Sequence, residues 1–171
     1  NCEVTPELVK EEKPDSVIIA TGSKTLILPI EGIDDPAIIH GSDLLDGKRG
    51  AGKKVLVVGG GMVGCETAAF LGEQEHDVTV IEFRDTVGAD VIHEHRVYLM
   101  KDFEDYGIKE ITGAKVCRFY EDGVEYETAD GVRHETRGYD SVILSMGFRN
   151  YNPLEEKIKD LVPETHVIGD A

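Results

Sequence analysis

The chain contains no tryptophan, and only 6% of its residues are aromatic. Any core built from it must therefore be mostly aliphatic. Cysteine is scarce as well. Cys2, Cys65 and Cys117 are odd in number and widely spaced, with no C-x-x-C. That excludes a redox dithiol, a zinc site and an iron–sulfur site encoded within these residues. Without a recognisable signal sequence, the three thiols suit a reducing cytoplasm, which is the expected location. Positive charge is in deficit: 18 Lys and Arg stand against 34 Asp and Glu, a formal net charge of −16. Such a chain is repelled by nucleic acid and by anionic membrane surfaces, so neither is an expected partner. No apolar run is long enough to cross a bilayer. What is left is an ordinary globular composition, 40% hydrophobic and 30% charged over 171 residues. At that length folding buries about 70% of the extended-chain surface, so a core can form without staples.

The densest information lies between Lys53 and Glu82, KKVLVVGGGMVGCETAAFLGEQEHDVTVIE. Val55 to Val58 form a short apolar run of mostly β-branched residues, suited to a strand buried on both faces of a parallel sheet. Gly59, Gly61 and Gly64 follow in the spacing G-x-G-x-x-G. The first permits the tight turn out of the strand. The second lets a pyrophosphate approach main chain that carries no Cβ. The third lets the next helix pack close to the strand. A helix is predicted over Met62 to about Glu73, with Ala68, Ala69 and Leu71 as good formers. Its start offers unpaired N–H groups and partial positive charge to a diphosphate. A second strand, Asp77 to Ile81, ends at Glu82. An acidic residue about 20 residues beyond the motif accepts hydrogen bonds from the adenosine ribose hydroxyls. An incidental Gly-rich turn would not need this ordered sequel. Glu82 favours NAD over NADP, because a carboxylate repels a 2′-phosphate. Arg84 could in principle meet that phosphate, although a solvated loop charge is the plainer reading. Cys65 sits at the helix start, where a thiol pKa can fall, although a small packing residue is again plainer.

Around this unit the chain reads as follows. Pro6 to Glu12 forms a short helix, with Thr5 as N-cap and Pro6 in the first helical position. Asp15 to Gly22 is a buried-type strand closed by small residues. Pro29, Gly32 and Pro36 punctuate a loop. A helical turn near Ser42 to Leu45 precedes a Gly-rich basic hinge, Gly47 to Gly52. Beyond Glu82, Asp90 caps a helix predicted over Val91 to Tyr106, with Ile92, Val97, Leu99, Met100 and Phe103 as its apolar stripe. His93 and His95 are two apart and cannot easily share a metal, so both read as solvated. From Ile108 the period changes to two. Strands are predicted at Ile108 to Ile111, Lys115 to Tyr120, Val124 to Thr128 and Val132 to Arg137. Asp122-Gly123 and Asp130-Gly131 turn the last three into a meander. Tyr139 to Gly147 repeats the design of the strand before Gly22. A polar helix near Leu154 to Asp160 and the stretch His166 to Ala171 complete the chain.

Four landmarks now stand in order: Ile19-Ala20-Thr21-Gly22, Gly59 to Glu66, Leu144-Ser145-Met146-Gly147 and Val167-Ile168-Gly169-Asp170. In that order the chain resembles the pyridine nucleotide-disulfide reductase superfamily, flavoproteins with an NAD(P)-binding domain inserted in an FAD-binding domain. The likeness covers essentially the whole chain. It implies an α/β fold: a Rossmann-like parallel sheet with a three-stranded antiparallel β-meander, plus partial FAD-domain segments. Residues 1–52 would be an FAD-domain segment and linker, 53–144 the NAD(P)-binding domain, and 145–171 a truncated FAD-domain segment. The chain then reads as a segment of something longer. Phe148 to Glu156 looks like the branch fused to an old yellow enzyme barrel, which includes 2-enoate reductases and 2,4-dienoyl-CoA reductase. The disulfide reductases usually carry Arg-x-Pro-Asn there. Ser145-Met146-Gly147 replaces the second Ala-Thr-Gly, so no threonine contact is expected at that point.

The resemblance implies a function: binding NAD(H) in an NADH-dependent flavin oxidoreductase that passes hydride to FAD and reduces an activated C=C bond. Its cofactor contacts fall on Gly59, Gly61, Met62, Val63, Gly64, Glu66, Glu82, Phe83, Arg84 and Gly147 for the nicotinamide nucleotide. Thr21, Gly22, Gly169 and Asp170 would serve FAD. No catalytic residue is expected here, with Glu66 alone approaching the nicotinamide; a carboxylate merely favoured by the helix start is the alternative. FMN and an iron–sulfur cluster would belong to the parent and are not encoded in these residues. The missing half of the FAD domain and the barrel would be partners within the parent chain. Alone, the chain is expected to bind FAD weakly at best and to be inactive. The alternatives are an NADH oxidase or disulfide reductase, and a non-catalytic NAD(H)-sensing module.

Overall fold

The structure is a computed structural model and describes residues 2–171. Asn1, at the head of the first predicted domain segment, lies outside the described residues. The elements run in chain order. First come α1 (Pro6–Glu12), β1 (Ser16–Ile19), β2 (Ser23–Thr25), β3 (Ile39–His40) and α2 (Gly41–Leu45). The centre holds β4 (Lys54–Val58), α3 (Met62–Glu73), β5 (Asp77–Ile81), α4 (His93–Asp105) and β6 (Lys109–Ile111). Then follow β7 (Lys115–Tyr120), β8 (Gly123–Glu127), β9 (Arg133–Arg137) and β10 (Ser141–Leu144). β11 (Phe148–Asn150), α5 (Glu155–Ile158) and β12 (Glu164–Val167) close the chain. Among the described residues no helix is long and apolar enough to cross a membrane.

Two compact units result. The larger is Ile27–Gly147, which starts well before Lys53; the smaller joins the residues up to Leu26 with Phe148–Ala171. The larger unit is built on a five-stranded sheet in the order β3-β10-β4-β5-β6, and every neighbouring pair is parallel. Parallel strands need cover on both faces, and β4 shows it: Val55 to Val58 are at most 1% exposed. On one face α3 and α4 contribute Cys65, Ala68, Leu71, Leu99 and Phe103 to the core. On the other the antiparallel meander β7-β8-β9 brings Val116, Phe119 and Val124. The fold is thus mixed α/β, a Rossmann-type parallel sheet with a three-stranded meander, as the sequence implies.

The α4 region departs from expectation. The helix begins at His93, its N-cap is Ile92, and no side chain caps it. Only Leu99 and Phe103 are buried, while Ile92 is 71% and Val97 57% exposed. The apolar stripe is therefore narrower than the periodicity suggests: Leu99 and Phe103 enter the core, Met100 packs against it half-buried, and Ile92 and Val97 face solvent.

In the smaller unit β1 and β12 pair in parallel, Ile19 opposite Val167. α1 is capped as expected: the Thr5 side chain accepts from Leu8 N at 3.3 Å. Val9, Ile19, Ile158 and Val162 form its buried core.

Candidate functional site

In the larger unit the strand order fixes one crevice. From β4 the chain proceeds through α3 to β5 and through α4 to β6, while β10 lies on the other side of β4. The order therefore reverses between β4 and β10, and ligands of open parallel sheets bind at such a reversal, beyond the carboxyl ends of the strands. Here those ends are the glycine run Gly59 to Gly61 and the turn Ser145 to Gly147.

Each motif glycine has its own physical reason. Gly59 has φ +104°, and a Cβ there would stand 2.3 Å from Ser145 O. Gly64 faces the strand: a Cβ would stand 1.8 Å from Gly59 O. A Cβ on Gly61 would meet only the end of a flexible side chain, Asp90 Oδ2 at 3.0 Å. Gly60, the unspecified position of the motif, is constrained too, though by side chains and less tightly. It is buried, and its Cβ would meet Val87 Cγ1 at 2.9 Å and Glu82 Cβ at 3.0 Å. Sequence reasoning missed Gly60; the only signal was the unbroken run of three glycines.

Glu82 closes β5 beside this turn. Its Oε2 accepts from Gly60 N at 2.6 Å and its Oε1 from Arg84 N at 2.9 Å. Two backbone donors thus fix the carboxylate against the glycine loop. The Arg84 side chain is exposed and forms no ion pair among the described residues. Phe83 is 69% exposed at the same edge.

At the start of α3 the structure corrects an expectation. The Met62 N–H is not bare, since it donates to Asp90 Oδ1 at 3.0 Å. Asp90 therefore caps α3, 28 residues earlier in the chain, instead of its own helix α4. The Val63 N–H, next in the first turn, has no acceptor among the described residues. Glu66, one turn on, is half-buried, and its Oε1 lies 3.6 Å from His95 Nε2 on α4. Cys65 is fully buried, and burial pushes its thiol up to about 12. It is a packing residue, as the plainer reading holds, with its Sγ donating to Gly60 O. Gly147 has φ +96° with open space around it. At the β10 end, Ser145 Oγ is buried with no hydrogen-bond partner among the described residues.

The structure thus brings Gly59, Gly61, Met62, Val63, Gly64, Glu82, Phe83 and Arg84 to one sheet edge, with Gly147 at the end of the adjoining strand β10. The other predicted contacts lie in the smaller unit. Thr21-Gly22 and Gly169-Asp170 follow the ends of the paired strands β1 and β12, so they share one edge. Gly22 and Gly169 both have positive φ, +68° and +67°. The Thr21 hydroxyl donates to Tyr151 O, and Gly22 O accepts from Tyr151 N at 2.9 Å. Among the described residues no three His, Cys, Asp or Glu side chains gather as a metal site.

Comparison with known proteins gives consistent results. Residues 3–164 match the family described as pyridine nucleotide-disulphide oxidoreductase. A bilirubin reductase of Mediterraneibacter gnavus is 32% identical over 165 residues, covering 96% of this chain and 25% of the relative. An NADH oxidase of Thermoanaerobacter brockii is 33% identical over 170 residues, covering 96% of this chain and 26% of the relative. Among solved structures, a 2-naphthoyl-CoA reductase in complex with 2-naphthoyl-CoA superposes with a TM-score of 0.88 at 31% identity, over 98% of this chain and 26% of that one. The chain spans about a quarter of the length of these relatives.

Proposed function

The chain belongs to the pyridine nucleotide-disulphide oxidoreductase family, and from that premise we propose that it is the NAD(H)-binding part of a flavin-dependent oxidoreductase. The observation that carries the reading is the glycine turn at the sheet reversal, with Glu82 pinned beside it by Gly60 N and Arg84 N. The residues fit a dinucleotide. Gly61 presents main chain without a Cβ, faced only by the movable carboxylate of Asp90, and the Val63 N–H is free to donate to a diphosphate. Glu82 presents a fixed acceptor pair to ribose hydroxyls and repels a 2′-phosphate. Phe83 offers an exposed ring at the same edge. Glu66, on the first turns of α3 with its Oε1 3.6 Å from His95 Nε2, would approach the nicotinamide.

NADH would supply the hydride and flavin would accept it, which is cofactor chemistry. The larger unit's residues would bind and orient the nicotinamide nucleotide. FAD would lie at the Thr21-Gly22 and Gly169-Asp170 edge of the smaller unit. We further assign the parent to the old yellow enzyme-fused branch, acting in the cytoplasm on an activated C=C bond. Supporting this are Phe148 to Glu156 and the likeness to 2-naphthoyl-CoA reductase, whose named ligand carries ring double bonds conjugated to a thioester carbonyl. FMN and an iron–sulfur cluster would be held outside these residues. The NADH oxidase relative favours a second reading, in which oxygen is the acceptor. NADH with an unsaturated thioester or with oxygen, given to the parent enzyme, separates the two.

Calorimetry on the 171-residue chain tests the core of the proposal. NADH should bind more tightly than NADPH, and Glu82→Ala should cut that preference by about tenfold, the loss of a charged hydrogen-bond acceptor of ordinary strength. Tighter binding of NADPH by the unaltered chain would overturn the assignment.

A further inference from the structure

The N–H that a diphosphate would take first is already in use. Asp90 Oδ1 accepts from Met62 N at 3.0 Å, and Asp90 Oδ2 lies 3.0 Å from where a Gly61 Cβ would be. A carboxylate thus rests over the one glycine of the motif that has no packing reason to be glycine. We propose that Asp90 is an internal latch on the nucleotide site, holding the Met62 N–H in the free protein and releasing it to the cofactor diphosphate. The inference rests on the nucleotide reading above and specifies how that site is controlled.

Three observations carry it. First, α4 starts at His93 with Ile92 as its N-cap, two residues beyond Asp90, so Asp90 is out of the capping position of α4 and its carboxylate serves the start of α3 instead. Second, the loop has a fixed root. Val87 is fully buried against Gly60, and Gly88 N donates to Gly60 O at 2.7 Å. Arg96 Nη2 holds the same segment through Thr86 Oγ1 at 2.9 Å and Val87 O at 3.1 Å. Third, Ala89 and Asp90 are exposed at the tip of a turn closed by Val91 N donating to Gly88 O at 3.1 Å, so the Asp90 side chain faces water. A fixed loop with an exposed side chain lets the carboxylate swing into water by side-chain rotation alone.

A carboxylate and a phosphate want the same thing from a helix start, N–H donors and partial positive charge. They cannot both have the Met62 N–H. Once displaced, Asp90 remains a negative charge beside an anionic diphosphate. Both effects weaken the apparent affinity of the free protein, since only the unlatched fraction is competent to bind. The latch has the strength of a side-chain N-cap, so its removal should tighten binding by roughly fivefold.

The test is calorimetric titration of the full 171-residue chain with NADH. Asp90→Ala should bind about fivefold tighter than the unaltered chain, and Asp90→Asn should fall between, keeping the acceptor but losing the charge. Adenosine, which has no phosphate, should bind all three alike when followed by NMR shifts. If the unaltered chain binds NADH and Asp90→Ala binds no tighter, the latch is refuted and the nucleotide site stands. If adenosine gains as much as NADH, the effect is structural and the latch is again refuted. If no variant binds NADH, both readings fall together. Should Asp90→Ala not fold, the unaltered chain carries its own readout. NADH should move both the Met62 amide and the Asp90 side-chain carboxyl resonances, and NADH binding that leaves the carboxyl resonance in place refutes the latch.

Discussion

Replacing Gly64 with alanine should destabilise the turn and helix that the site depends on, while the same change at Gly61 should largely spare the fold. The added methyl at Gly64 would stand 1.8 Å from Gly59 O and 2.9 Å from Gly59 C. Ordinary non-bonded contact begins at about 3.5 Å, so α3 would have to retreat by more than about 1 Å. Neither side can give way cheaply. Gly59 O is main chain, in a turn that is itself wedged against Ser145 O. On α3, Cys65, Ala68 and Leu71 are at most 1% exposed, so retreat opens voids along the buried line. Overpacking of a well-filled core costs about 1–3 kcal/mol, and with rigid atoms on both sides we expect about 3 kcal/mol. In a chain of this size that lowers Tm by roughly 10 °C. At Gly61 the new methyl meets only the carboxylate end of Asp90, which can rotate away at the cost of its bond to Met62 N, so stability should fall by about 1 kcal/mol. Its methyl would stand where the diphosphate passes, however, and NADH affinity should fall at least about tenfold. Thermal and urea unfolding followed by circular dichroism, with calorimetry for NADH, read both effects. A Gly64→Ala chain melting within about 2 °C of the unaltered one would refute the packing argument. Undiminished NADH binding by Gly61→Ala would refute the diphosphate path.

Ser145→Ala should raise stability by about 1 kcal/mol, because the hydroxyl is buried without a partner and its Cβ is kept; a lower Tm would reveal a partner for Oγ. Cys65 should resist thiol reagents at pH 8 while Cys2 and half-buried Cys117 react, and labelling of Cys65 should follow global unfolding; fast labelling in the folded state would contradict its burial. Its thiol is raised from 9.0 to about 12 in the folded chain. Between those values the unfolded chain releases a proton that the folded chain keeps, so this group's contribution to stability falls as pH rises from about 9 to about 12. Stability measured against pH should therefore decline less steeply over that window in Cys65→Ala, and an unchanged slope would argue against the shift.

The βαβ unit was legible because everything that specifies it is local. Val55 to Val58 sit beside the glycine spacing, and α3 and β5 follow at once, so the register of turn, helix and carboxylate is written in consecutive residues. The meander was legible for a similar reason, since Asp122-Gly123 and Asp130-Gly131 mark its reversals and the period of two holds between them. β3 was not legible. It is two residues long, too short for a period, and Ile39 finds its partner Ile143 only through the folded chain. β2 and β11 are hidden in the same way, three residues each, paired from opposite ends of the sequence.

The sequence by itself determined that a tight glycine turn joins strand to helix, that Gly59 and Gly64 must lack a Cβ, and which carboxylate ends the second strand. Backbone sterics and hydrophobic period act over a few residues, and spacing records them faithfully. Only the tertiary structure decided which donors those carboxylates would meet. Glu82 turned onto Gly60 N, and Asp90 passed over its own helix to cap α3, because partners far apart in sequence became nearest neighbours at one sheet edge. Where an exposed loop carboxylate points is set by what packing brings within 3 Å of it, and no spacing rule carries that information.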